Sequence, residues 1–211
     1  MSPFELVFAV FGLLLGLAIA EVLGGFSRAL KLKRGAKGVR IGWLTPLLGL
    51  FVILDLTTFW IVAYDARAYL RADYITLTAV LVIVGIYYLA ATLIFPEDPE
   101  AWPDFDDWYD RHNRMVLGGM LVANLGSWLG QTALQIWPAP EAAAAIAAAG
   151  PAMEEAELGF YEWVTLGGGF AILFLLIALI IIRNRRMNTA LLALMTLILV
   201  AMGVVESIAW A

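Results

Sequence analysis

Long runs of apolar residues dominate the chain and recur six times. They cover approximately residues 6–30, 41–64, 75–95, 115–137, 163–182 and 191–209. Each run is long enough, at 1.5 Å per helical residue, to cross a hydrocarbon core of about 30 Å. Backbone amides in lipid must be satisfied within their own segment, and these runs lack the alternation of membrane strands. The pattern predicts an all-α integral membrane protein, with residues 1–211 forming one domain of six transmembrane helices.

Composition supports the same class of protein. Apolar residue types make up 63% of the chain and charged types 15%, against roughly 45–50% and 25% in soluble domains. A water-soluble domain is therefore excluded. Nucleic-acid binding is not expected either, since the main basic cluster directly follows an apolar run, where it is better explained as an orientation signal.

The distribution of positive charge predicts the orientation. The first, third and fifth connections together carry eleven basic residues: Arg28, Lys31, Lys33, Arg34, Lys37, Arg40, Arg111, Arg114, Arg183, Arg185 and Arg186. The second connection carries only Arg67 and Arg71, and the fourth carries no basic residue. Basic connections stay in the cytoplasm. We therefore expect odd-numbered connections in the cytoplasm, both termini outside, and a location in a bacterial inner membrane.

The third connection contains a pattern typical of a short amphipathic helix. Asp104 follows Pro103 as a plausible N-cap. Aromatic and histidine side chains then recur with helical spacing at Phe105, Trp108, Tyr109 and His112. We expect a short helix lying in the membrane interface between spans three and four. Its acidic remaining positions make these four residues a candidate partner contact, although carboxylates near a helix start are also explained by the helix dipole.

Small residues recur at four-residue spacing in two of the spans. Span one contains Gly12, Gly16, Ala20 and Gly24, and span four contains Gly119, Ala123 and Ser127. Such spacing lets helix backbones approach closely where lipid supplies no hydrophobic driving force. The two stripes resemble a glycine zipper and predict that these helices lie in the interior or at the seam of a homo-oligomer or a larger membrane complex.

Charged and strongly polar residues inside the spans are the candidate functional groups. They are Glu21, Asp55, Tyr87, Asn124 and Glu206. A charge at a helix centre costs roughly 2.5–3.5 kcal/mol on translocon scales, so each requires an explanation. Our hypothesis is that the five converge into a polar path. Local explanations remain open: Glu21 shares a helical face with Arg28, Asp55 has Thr58 one turn away, and Glu206 lies near the end of the sequence.

Other chemistry has little support in the sequence. There are no cysteines and one histidine, and the three lysines all lie in the first connection. Haem or chlorophyll ligation by several histidines and a retinal Schiff base are therefore excluded. We expect no cofactor, no metal site and no enzymatic activity, with an integral-membrane enzyme acting near His112 as a remote alternative.

Two functions are compatible with these features. The first is conduction or transport of protons, a small cation or a small solute along the intramembrane carboxylates. The second is a non-catalytic accessory or assembly subunit of a larger membrane complex. Either protein would have the lipid bilayer as its surroundings.

Overall fold

A computed structural model describes residues 3–34, 38–68, 73–99, 101–138, 140, 143–144 and 159–209. Within these ranges the fold is all-helical, with six helices of 19 residues or more. We label them α1 Pro3–Arg34, α2 Leu44–Asp65, α3 Tyr74–Thr92, α4 Phe105–Ile136, α5 Phe160–Ile181 and α6 Arg185–Ala209. A single 3-10 turn, Ala66–Ala68, follows α2.

Polar side chains cap the first turns of three helices. The carboxylate of Asp73 accepts a hydrogen bond from the Thr76 N–H at 2.8 Å, at the start of α3. The carboxylate of Asp104 accepts from the Asp106 N–H at 2.9 Å and so caps α4. At the start of α6 the Asn184 side-chain oxygen accepts from the Arg186 N–H at 2.9 Å. These bonds satisfy amides that have no partner inside the helix.

Five of the six helices are long and apolar enough to cross a membrane, which indicates an integral membrane protein. The five segments are Val7–Lys33, Leu44–Asp65, Tyr74–Thr92, Trp163–Ile181 and Arg185–Ile208. Helix α4, which contains the predicted fourth span, is not among them. It has the length to span, but Asn124, Ser127 and Gln131 interrupt its apolar sequence. The structure therefore supports five of the six predicted spans by this criterion.

Helices α2 and α4 occupy the middle of the bundle. Helix α2 packs against α1, α4 and α6, and α4 packs against α3 and α5 as well as α2. The outer pairs are α1 with α3 and α5 with α6. The buried core runs through all six helices, while many large apolar side chains on the outside stay exposed, as expected for a surface that meets lipid.

The predicted short interfacial helix is not a separate element. Residues 105–112 form the first turns of α4, which continues without a break to Ile136. The rings of Phe105 and Tyr109 are buried in the protein core, 1% and 2% exposed. The expectation that they lie among lipid headgroups or against a partner is therefore wrong. The helical periodicity of these residues marks a face of α4 that packs against the chain's own helices.

The first and third connections are joined at one end of the bundle, which we call the base. The Arg40 N–H donates to the Pro103 carbonyl at 2.7 Å, and the Phe105 N–H donates to the Arg40 carbonyl at 2.9 Å. The buried Thr45 hydroxyl donates to the Phe105 carbonyl at 3.0 Å. This short ladder fixes the start of α2 against the start of α4.

The carboxylate of Asp106 adds a further contact at the base. Asp106 accepts a hydrogen bond from the Leu44 backbone N–H, so a side chain of α4 caps α2 from outside. Burial raises the pKa of Asp106 above its usual value. Gly42 lies directly beneath this carboxylate with a φ of 62°, a conformation that favours glycine.

The fifth connection also lies at the base. Arg185, the first residue of α6, binds two carboxylates of α4. Its Nη2 lies 2.5 Å from Asp107 Oδ1, and its Nε donates to Asp110 Oδ2 at 2.7 Å. The three connections predicted to share one side of the membrane therefore meet at one end of the bundle.

Candidate functional site

Three of the predicted polar residues meet in the middle of the bundle. The Tyr87 hydroxyl donates a hydrogen bond to Asp55 Oδ2. Asn124 Nδ2 lies 3.2 Å from the same carboxylate oxygen and 2.9 Å from the Tyr87 hydroxyl oxygen. Asp55 is 3% exposed and Tyr87 is fully buried. We call this group the central cluster.

Each member of the central cluster comes from a different helix. Asp55 lies halfway along α2, about 15 Å from Asp65 at the end of that helix. Tyr87 belongs to α3, where its ring packs edge-on against Phe59 with centroids 4.9 Å apart. Asn124 belongs to α4, and its amide is also held by the Met120 carbonyl at 3.0 Å. The cluster thus connects three helices at mid-depth.

Asp55 has no cationic partner among the described residues. The ion pairs found there involve other carboxylates, at Glu21, Asp65, Asp104, Asp107 and Asp110. The groups that contact Asp55 Oδ2 are a neutral phenol and a neutral amide. An ionised carboxylate buried without a compensating charge is strongly unfavourable. Asp55 therefore needs a proton or another cation to neutralise it.

A small polar chamber adjoins the central cluster. It has a volume of about 60 Å³, and its walls include Asp55, Thr58, Asn124, Ser127 and Gln131. One water molecule needs roughly 10–15 Å³ of such space together with polar partners. The chamber is therefore large enough for a few waters in contact with the buried carboxyl.

A larger cavity lies beside the chamber, toward the end of the bundle opposite the base. It has a volume of about 290 Å³ and shares Thr58, Val62 and Gln131 with the chamber. Its other walls include Asp65, Gln135, Thr165 and Glu206. We call it the acidic cavity, since it contains two carboxylates. The polar side chains that line the two spaces extend from Asp55 to Asp65 on one side of the central cluster, and we call them the polar route.

The opposite direction, toward the base, is apolar next to Asp55. Asn113 is the next buried polar residue of α4 on that side, eleven residues or about 16 Å from Asn124. The buried residues of α4 between them are all apolar: Val116, Leu117, Met120 and Ala123. Phe51 and Val52 of α2 are also buried on this side. This apolar layer separates the central cluster from the base.

A second buried polar group lies beyond the apolar layer. The phenol of Tyr109 lies beside the amides of Asn113 and Asn188, and burial raises its pKa above the usual value. Tyr109 and Asn188 are 2% and 1% exposed. The Tyr109 hydroxyl and the Asn188 side-chain oxygen lack a hydrogen-bond partner of good geometry. Sequence analysis gave no role to either asparagine.

The two remaining predicted carboxylates do not join the central cluster. Glu21 forms an ion pair with Arg28 at 3.2 Å, with both side chains partly exposed. This is the local explanation left open by the sequence. Glu206 lines the acidic cavity together with Asp65. The five residues predicted to converge thus separate into a cluster of three, one residue at the entrance and one outside.

The polar residues that sequence analysis missed follow a readable pattern. Ser127, Gln131 and Gln135 extend from Asn124 at helical spacing along one face of α4. Thr58 and Asp65 similarly continue the face of α2 that begins at Asp55. These residues line the chamber and the acidic cavity. A helical-wheel comparison of both segments would have found them.

The small residues of span one do not face the interior of this chain. The core-facing side of α1 is formed by Leu15, Ala18 and Val22, which are fully buried. Gly16 and Ala20 are exposed, and a Cβ at Gly16 would meet nothing within 4 Å. Gly24 lies beside its own Arg28, and Gly12 faces the ring of Trp60. Most of this stripe therefore points away from the other helices.

The small residues of span four do pack inside the protein. A Cβ at Gly119 would lie 3.2 Å from the Ala90 Cβ of α3, so this glycine allows a close approach of α3 and α4. Ala123 is fully buried on the same helix. Ser127 has a different role, since it lines the chamber and its hydroxyl lies 3.4 Å from Gln131 Nε2.

Trp108 and His112 form an aromatic group beside the base. Their rings stack with centroids 3.7 Å apart. Trp108 Nε1 donates to the Leu93 carbonyl at 3.0 Å, and Trp102 packs edge-on against Trp108. Arg111 lies 4.8 Å above the Trp102 ring. These contacts hold the third connection against α4. They explain the presence of Trp108 and His112 without a functional role.

Comparison with family models, with curated proteins and with solved structures found no match to this chain. The class of protein therefore rests on the fold, which is a helical bundle with five helices able to cross a membrane. Among the described residues, no group of three or more His, Cys, Asp or Glu side chains is arranged to hold a metal ion. The central cluster and its polar route form the candidate functional site.

Proposed function

We propose that this protein moves a proton or another small cation across the membrane, with Asp55 as the intramembrane binding group. The observation that carries the proposal is the buried Asp55 carboxyl at the wall of a chamber that shares Thr58, Val62 and Gln131 with the acidic cavity. The charge of Asp55 requires a neutralising cation. The polar route gives that cation a way to arrive.

The acidic cavity is the proposed entrance. Asp65 lies about 15 Å from Asp55, just under three turns further along α2, and Asp65 and Glu206 together place negative charge at the opening. Acidic side chains at the mouth of a cleft attract cations and raise their local concentration. By the distribution of basic residues, this end of the bundle faces outward and the base faces the cytoplasm.

The apolar layer between Asp55 and the base is the proposed barrier. Leu117, Met120 and Phe51 are fully buried and offer no hydrogen bonds to an ion. In this proposal a cation reaches Asp55 from the acidic cavity and not from the base. Transport requires a second conformation in which this layer parts.

The test is cation flux into liposomes that contain the purified protein. Asp55→Asn keeps the size of the side chain and removes the ionisable group, so we expect flux to fall at least tenfold. Glu21→Gln is the matched control, because it makes the same change at an exposed ion pair outside the route. Equal flux in the wild type and Asp55→Asn would refute the proposal.

Labelling with a membrane-impermeant maleimide tests the route separately, since the chain has no native cysteine. We expect Gln135→Cys, in the acidic cavity, to react. Leu117→Cys, in the apolar layer, should stay protected. Protection of both positions would contradict a water-filled entrance.

A second candidate function is that of an accessory subunit in a membrane assembly. The observation that favours it is the outward-facing pair Gly16 and Ala20 on α1. Small residues on a lipid-facing surface allow another helix to pack closely. Native mass spectrometry of the wild type and Gly16→Leu tests this function, and a monomer in both preparations would exclude self-assembly through this face.

A further inference from the structure

We infer that the cation bound by Asp55 is a proton and not a metal ion. This inference rests on the proposed function and specifies its substrate. It follows from the direction of the hydrogen bonds in the central cluster and from the chemistry of the chamber walls.

Asp55 Oδ2 is surrounded by hydrogen-bond donors. The Tyr87 hydroxyl and the Asn124 amide both direct hydrogens toward it. A metal ion at this oxygen would lie against those hydrogens, since hard cations require oxygen ligands that present lone pairs. Tyr87 cannot swing away easily, because its fully buried ring is packed against Phe59. The side of the carboxyl that faces the cluster is therefore unsuitable for a metal ion.

The same bonds determine where a proton resides. Oδ2 already accepts two hydrogen bonds, so the proton that neutralises the carboxyl is bound to Oδ1. Exchange then needs only the Oδ1–H bond to break as a water oxygen in the chamber takes the proton. The products are a carboxylate and a hydronium ion, and the reverse step reloads Asp55. The two donors to Oδ2 stabilise the carboxylate while it is transiently empty.

The chamber walls offer few free ligands for a metal ion. Six of the eleven residues that line the chamber carry no side-chain oxygen: Phe59, Val62, Trp128, Gly169, Ile172 and Leu199. A hard cation needs about six oxygen ligands. A volume of about 60 Å³ holds only a few waters to complete such a shell. Those waters are sufficient for proton transfer.

The experiment compares proton and sodium flux in the same proteoliposomes. One arm contains choline as the main cation and follows internal pH with a trapped dye, under a membrane potential set by potassium and valinomycin. The other arm holds pH equal on both sides and follows uptake of labelled sodium. The wild type, Asp55→Asn and Glu21→Gln are measured in both, with protein-free liposomes as the baseline.

We expect proton flux in choline to be at least tenfold above baseline in the wild type and Glu21→Gln, and near baseline in Asp55→Asn. Sodium uptake should be at baseline in all three. Sodium uptake that requires Asp55, with no proton flux in choline, would overturn the inference and leave the proposed function standing. Absence of both fluxes would refute the proposed function itself. The wild-type comparison of the two ions decides the substrate even where Asp55→Asn fails to fold.

Discussion

Removing the hydroxyl of Tyr87 is the most direct perturbation of the central cluster. Tyr87→Phe retains the ring and its edge-on contact with Phe59, and it deletes one of two donors to Asp55 Oδ2. Asn124 remains at 3.2 Å from that oxygen. The carboxyl therefore loses one hydrogen bond and keeps the other.

The loss of one of the two hydrogen bonds determines how much Tyr87→Phe lowers the free energy of unfolding. Interhelical hydrogen bonds in membrane proteins contribute about 0.6 kcal/mol on average and up to about 1.7 kcal/mol. Leaving a buried polar group without its partner costs roughly 1–3 kcal/mol. Because both partners are buried and one donor remains, we expect Tyr87→Phe to lower the free energy of unfolding by about 1–1.5 kcal/mol.

Reversible unfolding in mixed detergent micelles, followed by tryptophan fluorescence, measures this change. Tyr88→Phe is the matched control, since it deletes the same hydroxyl one position along α3 from a partly buried ring. Its expected effect is below about 0.5 kcal/mol. In an Asp55→Leu background the Tyr87 hydroxyl loses its acceptor, so Tyr87→Phe should then cost much less. Equal losses in both backgrounds would refute the assignment of this bond.

Two further predictions concern the base and use the same unfolding assay. Gly42→Ala should destabilise the protein by about 1–2 kcal/mol, because the φ of 62° at Gly42 disfavours a side chain and a Cβ there would meet the Asp106 carboxylate. Gly38→Ala is the control and should have little effect, since a Cβ at Gly38 has open space. Equal losses of stability in the two variants would contradict this reasoning. The raised pKa of Asp106 means that folding favours its protonated form, so its contribution to stability is present at low pH and is lost as pH rises above the usual aspartate value near 4. Asp106→Asn should therefore flatten the dependence of stability on pH in that range, and an unchanged dependence would show that other groups cause it.

Much of the fold follows from apolar periodicity in the sequence. Runs of about 20 apolar residues predicted helices that the structure contains, with shifts of a few residues at most of their ends. The largest shift is at α4, which begins at Phe105, ten residues before the predicted span. Helix α6 begins six residues early, at Arg185, in what was expected to be a connection. The Asn184 side chain caps α6 just before Arg185, so the helix begins there. Capping by one side chain is a local signal that a hydropathy average does not detect.

The site was predictable only in part. Asp55, Tyr87 and Asn124 could be identified from the sequence because each is a polar residue near the middle of an apolar span, where polar groups are rare. Depth alone could not separate Glu21, whose partner Arg28 lies two turns along the same helix. The spacing of Gly16 and Ala20 places them on one face of α1, but it does not show what that face contacts. That the face points away from the other helices could therefore not be predicted from the sequence.

The joined connections at the base have a mechanical consequence. The backbone hydrogen bonds of Arg40 and the ion pairs of Arg185 hold the helices together at the base. We therefore expect the bundle to open more easily at the opposite end, where the acidic cavity lies, than at the base. If the protein transports a cation as proposed, release toward the base requires these bonds to break.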